Sequence, residues 1–308
     1  MAAQAKNKDW GFTPVGIDHP REGQFSSTHW GFAKDGPSPY SIHGMWNGFH
    51  GIRSPENPPM LWGNRLEGTV AEVALPKIEK YLGGEIDMLV CPTKVATYRG
   101  AGFRVTCDRL LSMKTSDGTI TMGLEVKTSS SWKQQRLYGD EWSPDSVPPF
   151  VAAQCQAHMA AHPEMDLCFV AAWFYRPEDP KIYVVERDEG MIQEAMDWLA
   201  DWHLRHVVGN NPPKIDGSKE CARWLQKLDS TDPVIVEADE EQRVLIEEYA
   251  KAKKEFAEAK KAFDLRKHEI HGAINGEGGI SADGIGTVKK SSGKVSRLSD
   301  NFGESYEK

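Results

Sequence analysis

Asp108, Glu125 and Lys127 are the residues of this chain whose types and spacing suggest joint chemistry. Side chains alternate faces along a β-strand, so Glu125 and Lys127, two apart, share a face. The stretch Thr119–Lys127 reads as such a strand, with Thr121, Gly123, Glu125 and Lys127 on one side. Ile120, Met122, Leu124 and Val126 lie on the other. A preceding strand over Phe103–Met113 sets Arg104, Thr106 and Asp108 opposite Phe103, Val105 and Cys107. Ser116-Asp117-Gly118 supplies the turn. A turn centred on Asp117-Gly118 pairs Asp108 with Lys127 and sets it diagonal to Glu125. Diagonal neighbours lie about 7–8 Å apart, near enough for two carboxylates to reach one divalent ion. The hairpin is expected to be antiparallel and covered on one face.

Such a set suits phosphodiester hydrolysis. A magnesium ion held by one or two carboxylates neutralises phosphoryl oxygens and supplies hydroxide at neutral pH, and a neighbouring lysine stabilises developing charge. The same spacing equally fits a surface ion pair between Lys127 and its acidic neighbours.

The elements around the hairpin must position further groups. Asn64–Leu82 has a helical apolar stripe, Val70, Ala71, Ala74, Ile78 and Leu82, with Glu67 at its head. Glu67 is either turned inward toward a partner or engaged in an N-terminal cap with Asn64. Pro148-Pro149 open a helix reaching about Ala161, with Gln154 in its first turns. Strands are expected at Leu167–Tyr175 and Ile182–Arg187, and helices near Gly190–Val208 and Ser218–Leu228. The alternation indicates an α/β fold, a mixed central sheet flanked by helices, over residues 1–235, of which 1–60 read as irregular. Residues 236–272 form one long Lys/Glu/Ala-rich helix. Leu245, Tyr249, Ala252, Phe256, Ala259, Phe263 and Ile270 give it a coiled-coil-like seam. It is followed over 273–308 by a glycine-rich hairpin and a mobile tail.

The net charge of −8 argues against binding nucleic acid over the whole surface. Between Lys94 and Arg136, however, eight basic residues face three acids, as a groove for a polyanion would require. Arg104, Arg109, Trp132, Lys133 and Arg136 flank the hairpin and are expected to contact DNA. The histidines at 19, 29, 43 and 50 match no metal-ligand spacing and read as scattered loop residues. The five cysteines form no CxxC pair and are expected to be buried thiols. No apolar run is long enough to span a membrane, and the first residues have no apolar signal core, which leads to an expected cytoplasmic location.

Four stretches together resemble a known family. They are Leu-Trp-Gly-Asn-Arg-Leu-Glu at 61–67, Thr-Cys-Asp at 106–108, Gly-Leu-Glu-Val-Lys at 123–127 and Val-Pro-Pro-Phe-Val-Ala-Ala-Gln-Cys-Gln at 147–156. Their order and spacing are similar to the YqaJ-like viral recombinases, relatives of lambda exonuclease in the PD-(D/E)XK nuclease superfamily. The resemblance implies Asp108 and Glu125 as metal ligands, with the Val126 carbonyl completing the shell. It implies Lys127 as the catalytic lysine, Glu67 as the acid of the first core helix, reaching metal directly or through water, and Gln154 as a supporting glutamine. Where RecB-like relatives carry Gln-xxx-Tyr, this chain has Gln154-Cys-Gln-Ala-His158. Also implied are two Mg²⁺ ions per site (Mn²⁺ substituting) and 5′-to-3′ resection of duplex DNA ends in a phage-infected bacterial cytoplasm. A single-strand annealing protein as partner and a trimeric ring complete the expectation. A restriction- or repair-type endonuclease of the same fold, and a silent DNA-binding scaffold, are the competing functions.

Overall fold

The computed structural model describes residues 7–15, 22–33, 41–52, 55, 58–129, 132–143, 146–174, 179–228, 235–274, 278–282, 286–290 and 298–302. The chain divides into two compact units, Met1–Ser230 and Thr231–Lys308. The first unit opens with β1 (Thr13–Pro14), β2 (Gln24–Ser26), a 3-10 segment (Ser27–Ala33), α1 (Ile42–Phe49) and α2 (Pro58–Leu82). The meander β3 (Ile86–Val90), β4 (Lys94–Tyr98), β5 (Ala101–Val105), β6 (Arg109–Thr115) and β7 (Gly118–Thr128) follows. Then come α3 (Trp132–Gln135), α4 (Pro149–Ala161), β8 (Met165–Trp173), β9 (Lys181–Glu186), α5 (Glu189–Trp202) with a π-helical extension to Val208, and α6 (Lys219–Leu228).

The result is a mixed α/β architecture with two sheets. One has the order β3-β6-β7-β8-β9, antiparallel throughout except for the parallel pair β7/β8. Parallel neighbours need a crossover, and α4 is that crossover, which is why it lies against the sheet. Helix α2 covers the opposite face: its Val70, Ala71, Ala74 and Ile78 pack on Met122, Leu124 and Val126 of β7. Strand β7 is therefore covered on both faces, not on one as the hairpin reading expected.

Helix α4 is buried from Ala153 to Ala161, polar residues included. Val151, Cys155 and Met159 pack toward β8 and β9, whereas Ala153, Ala157, Ala160 and Ala161 join the second core beside Phe25, Trp30 and Phe103. A helix buried all round belongs between layers, and this one has a layer on either side, with Gln154, Gln156 and His158 buried along it.

Phe103–Met113 does not run as one strand. Its first part, β5, belongs to the other sheet, in the order β1-β4-β5-β2, and the backbone leaves strand geometry at 106–108 before β6 begins. Asp108 thus stands at the head of β6 rather than in the middle of a strand. The N-terminal sixty residues are also more regular than expected, since α1 is a helix capped by Ser41 and α2 already begins at Pro58. His43 sits on α1 and is buried, which removes it from the scattered loop histidines; His19 lies outside the described residues. All five cysteines are free and buried.

The second unit holds α7 (Glu240–Ile274) and an antiparallel sheet of β10 (Gly279–Ala282), β11 (Gly286–Lys290) and β12 (Leu298–Phe302). Asp239 and Gln242 cap α7 reciprocally, each backbone N–H donating to the other's side chain. Residues 298–302, expected within a mobile tail, pair with β11 as a third strand. Among the described residues no helix is long and apolar enough to cross a membrane.

Candidate active site

Glu125 is the centre of the arrangement. It projects from β7 under α4 and is only 2% exposed. Its Oε1 accepts from Lys127 Nζ at 2.5 Å and from Gln154 Nε2 at 2.7 Å, while Oε2 lies 2.8 Å from His158 Nε2. An ionised carboxylate only accepts, so His158 must carry its proton on Nε2. Gln154 closes the ring, its Oε1 accepting from Lys127 Nζ at 2.8 Å. Gln154 and His158 are four apart, one above the other on a single helical face. Burial opposes charge on Glu125, but Lys127 and His158 outweigh it and hold the carboxyl at about 2.

Asp108 approaches from the head of the neighbouring strand, β6. Its Oδ2 accepts from the Val126 N–H at 2.7 Å. In extended backbone the N–H and C=O of one residue point to the same strand edge, so the Val126 carbonyl also faces the Asp108 side. Burial, followed by the charges of Glu125 and Glu67, pushes the Asp108 carboxyl up to about 8.

The sequence register was displaced by two residues. Thr115 pairs with Gly118 and Arg109 with Leu124, so the turn is centred on Ser116-Asp117. Gly118, with φ +135°, is the first residue of β7 in a conformation that favours glycine. A two-residue slip preserves the faces, and Glu125 and Lys127 keep their common side. It moves Asp108 from the level of Lys127 to that of Glu125. Lys127 is not part of a surface ion pair, because its partner is buried: the two side chains are 25% and 3% exposed.

Glu67 is in the third turn of α2, too far along to cap it. Its Oε1 accepts from Arg109 Nη1 at 2.7 Å, and the same guanidinium donates to the Asp108 carbonyl. Arg109, expected to face DNA, is therefore tied to the acids of the site. Arg104, also expected there, is 9% exposed within β5 of the second sheet. Arg136 is exposed just after α3. Trp132 and Lys133 fall on α3, but their side chains lie outside the described residues.

Asp108, Glu125 and the Val126 carbonyl fit a hard divalent cation by donor chemistry, since all are oxygens of the kind magnesium takes. The raised Asp108 carboxyl adds a physical reason: desolvation, and after it the nearby charges of Glu125 and Glu67, disfavour its ionised form, and a cation at this place would offset both. Glu67 does not join them in a compact trio. Among the described residues, three ligand-type atoms within 4.8 Å of one another occur only at His43, Asp216 and Cys221.

His158 is the site residue that sequence reasoning missed. Its spacing from Gln154 was visible, but only as a departure from a tyrosine motif.

No family model matches the chain, and no curated protein matches it. A solved structure titled "Crystal structure of SSO0001" aligns over 59% of this chain and 78% of that one, with 12% identity and a TM-score of 0.34. That score is too low to establish a shared fold.

Proposed function

We propose that the protein is a metal-dependent deoxyribonuclease of the PD-(D/E)XK type, acting as an exonuclease on linear duplex DNA. The observation that carries this reading is the buried Glu125 joined to Lys127, Gln154 and His158, with Asp108 across the strand. A buried carboxylate held by a half-buried lysine, with an incompletely ionised second carboxylate beside it, is costly as structure alone, and perturbed groups of this kind gather at functional sites.

Asp108, Glu125 and the Val126 carbonyl would hold Mg²⁺, with Mn²⁺ as substitute. When bound, the ion supplies charge neutralisation at the phosphoryl oxygens and a hydroxide at neutral pH. Lys127 is oriented by Glu125 and Gln154 while part of its side chain remains open to solvent. There it can donate to a non-bridging phosphoryl oxygen or to the attacking water. Glu67, with one oxygen engaged by Arg109, keeps the other for a water. Asp108 would give up its proton to serve as a ligand. The 5′-to-3′ polarity, supply of single strands for phage recombination, an annealing partner, a second ion and a ring-shaped oligomer are carried by the family resemblance.

The test is release of label from linear duplex in Mg²⁺, compared at 5′ and 3′ ends, with closed circular DNA alongside. Release from the 5′ end with intact circles is expected. Cleavage of circles would assign an endonuclease, and salt-sensitive binding without hydrolysis would assign a scaffold.

A further inference from the structure

A second set of ligand-type side chains lies on other elements of the first unit. His43 comes from α1, Asp216 from the loop before α6 and Cys221 from the first turn of α6. One ligand atom of each lies within 4.8 Å of the other two. His43 Nδ1 is 3.2 Å from Asp216 Oδ2. An ion pair would account for that contact alone. It leaves His43 Nε2 buried without any hydrogen-bond partner, on a ring that is 0% exposed. It also leaves a fully buried thiol beside the pair. Buried polar nitrogens are ordinarily satisfied, and this ring, with one nitrogen unpartnered, also brings a nitrogen close to both a carboxylate and a thiol, a donor set that one cation would satisfy together.

The surroundings hold these side chains in place. Ser41 Oγ caps α1 by accepting from His43 N at 3.1 Å and donates to Ser218 Oγ at 2.9 Å. Ser218 Oγ accepts from Cys221 N at 3.0 Å, and Ser218 N donates to Asp216 Oδ1 at 2.8 Å. Asn47 Nδ2 adds a bond to the Glu220 carbonyl at 2.8 Å. The two helix caps thus fix the positions of all three ligand residues.

We propose that His43, Asp216 and Cys221 bind one zinc ion that clips α1 to α6. Imidazole, thiolate and carboxylate are zinc donors, whereas magnesium takes oxygen donors and would not select a thiol. Zinc bonds of about 2.0–2.3 Å hold tetrahedral ligands roughly 3.3–3.8 Å apart, so the trio needs to close by about an ångström. Asp216, with its side chain 39% exposed, opens the site to solvent, and water takes the fourth position. Binding transfers the Cys221 thiol proton to solvent and leaves the sulfur as a zinc-bound thiolate. The ion would tie the N-terminal helix of the unit to the last one.

Full-length protein freed of metal with chelator, then equilibrated with Zn²⁺ and dialysed, is to be analysed for metal content. Co²⁺ substitution reads the thiolate through its sulfur-to-cobalt charge-transfer band. One zinc per chain is expected, and the same in Asp108→Asn, which separates this site from the nuclease carboxylates. Cys221→Ser should lose the band, and Asp216→Asn should bind zinc at least tenfold more weakly. Asp216 is exposed, so its variant keeps the test decisive even where Cys221→Ser does not fold. Absence of stoichiometric zinc from the parent protein, or wild-type retention by either variant, overturns the proposal.

Discussion

His158 Nε2 lies 2.8 Å from Glu125 Oε2, joining the one imidazole of helix α4 to the most buried carboxylate of the proposed site. The contact means that Glu125 is held from two elements, by Lys127 along its own strand and by Gln154 and His158 from α4. Removing any one donor leaves a buried charge less compensated.

His158→Ala should therefore destabilise the fold by about 1–3 kcal/mol, the usual cost of an unmade buried hydrogen bond to a charged group. It should also weaken Mg²⁺ binding, because Glu125 loses a group that keeps it ionised. His158→Gln restores a donor and should recover part of both. Thermal melts and calorimetric Mg²⁺ titration measure this, and unchanged metal affinity in His158→Ala would remove His158 from the site.

Metal uptake should depend on pH through Asp108. Its carboxyl stands at about 8 in the folded chain, above its ordinary 3.8, so the folded state holds a proton that the unfolded state has lost. Without metal, this group makes the fold less stable as pH rises from about 4 through 8. Glu125, lowered to about 2, has the opposite sign: its stabilisation is present above its ordinary 4.5 and is lost as pH falls through 2. A cation must displace the Asp108 proton, so apparent Mg²⁺ affinity should be roughly 50-fold weaker at pH 6 than at pH 8. A flat profile over that range would contradict the assignment of Asp108 as a ligand.

The basic residues should separate by burial. Arg104→Ala, in the interior of the second sheet, should lower the melting temperature and leave the salt dependence of DNA binding unchanged. Arg136→Ala, at an exposed position, should reduce the slope of log affinity against log salt by about 1. Filter binding at several salt concentrations distinguishes them, and the reverse pattern would restore Arg104 to the DNA face.

How much of this was legible in the sequence follows from what periodicity can carry. The shared face of Glu125 and Lys127 was readable because strand alternation survives a two-residue slip. The position of Asp108 was not, because Val105-Thr106-Cys107 continue the alternating pattern through the point where the chain changes sheet. Arg104 was read as a surface residue because charge is a poor guide to burial on a strand that lies inside a second sheet. The orientation of α4 was hidden for a related reason: a helix buried on all sides has no polar stripe to mark its faces. Gln154 was reached through its place in the first turns of α4 and through its motif, and His158, one turn later, was not.

The two units should be separable in chemistry. Residues 1–230 contain every proposed ligand and both sheets of the first unit. A chain ending after Ser230 should fold and retain Mg²⁺-dependent cleavage, with processivity or assembly altered. Circular dichroism and end-label release check both points, and a folded but inert truncation would place an essential group in Thr231–Lys308.

The most direct measurement is single-turnover cleavage of end-labelled duplex by Lys127→Ala, with DNA and Mg²⁺ affinities determined on the same protein. Lys127 is assigned to water and phosphate rather than to the ion. The rate should fall by about 10²-fold or more while both affinities stay near those of the parent. Asp108→Asn and Glu125→Gln should lose Mg²⁺ affinity together with cleavage. A Lys127→Ala protein that cleaves at the parent rate in Mg²⁺ would contradict the central assignment.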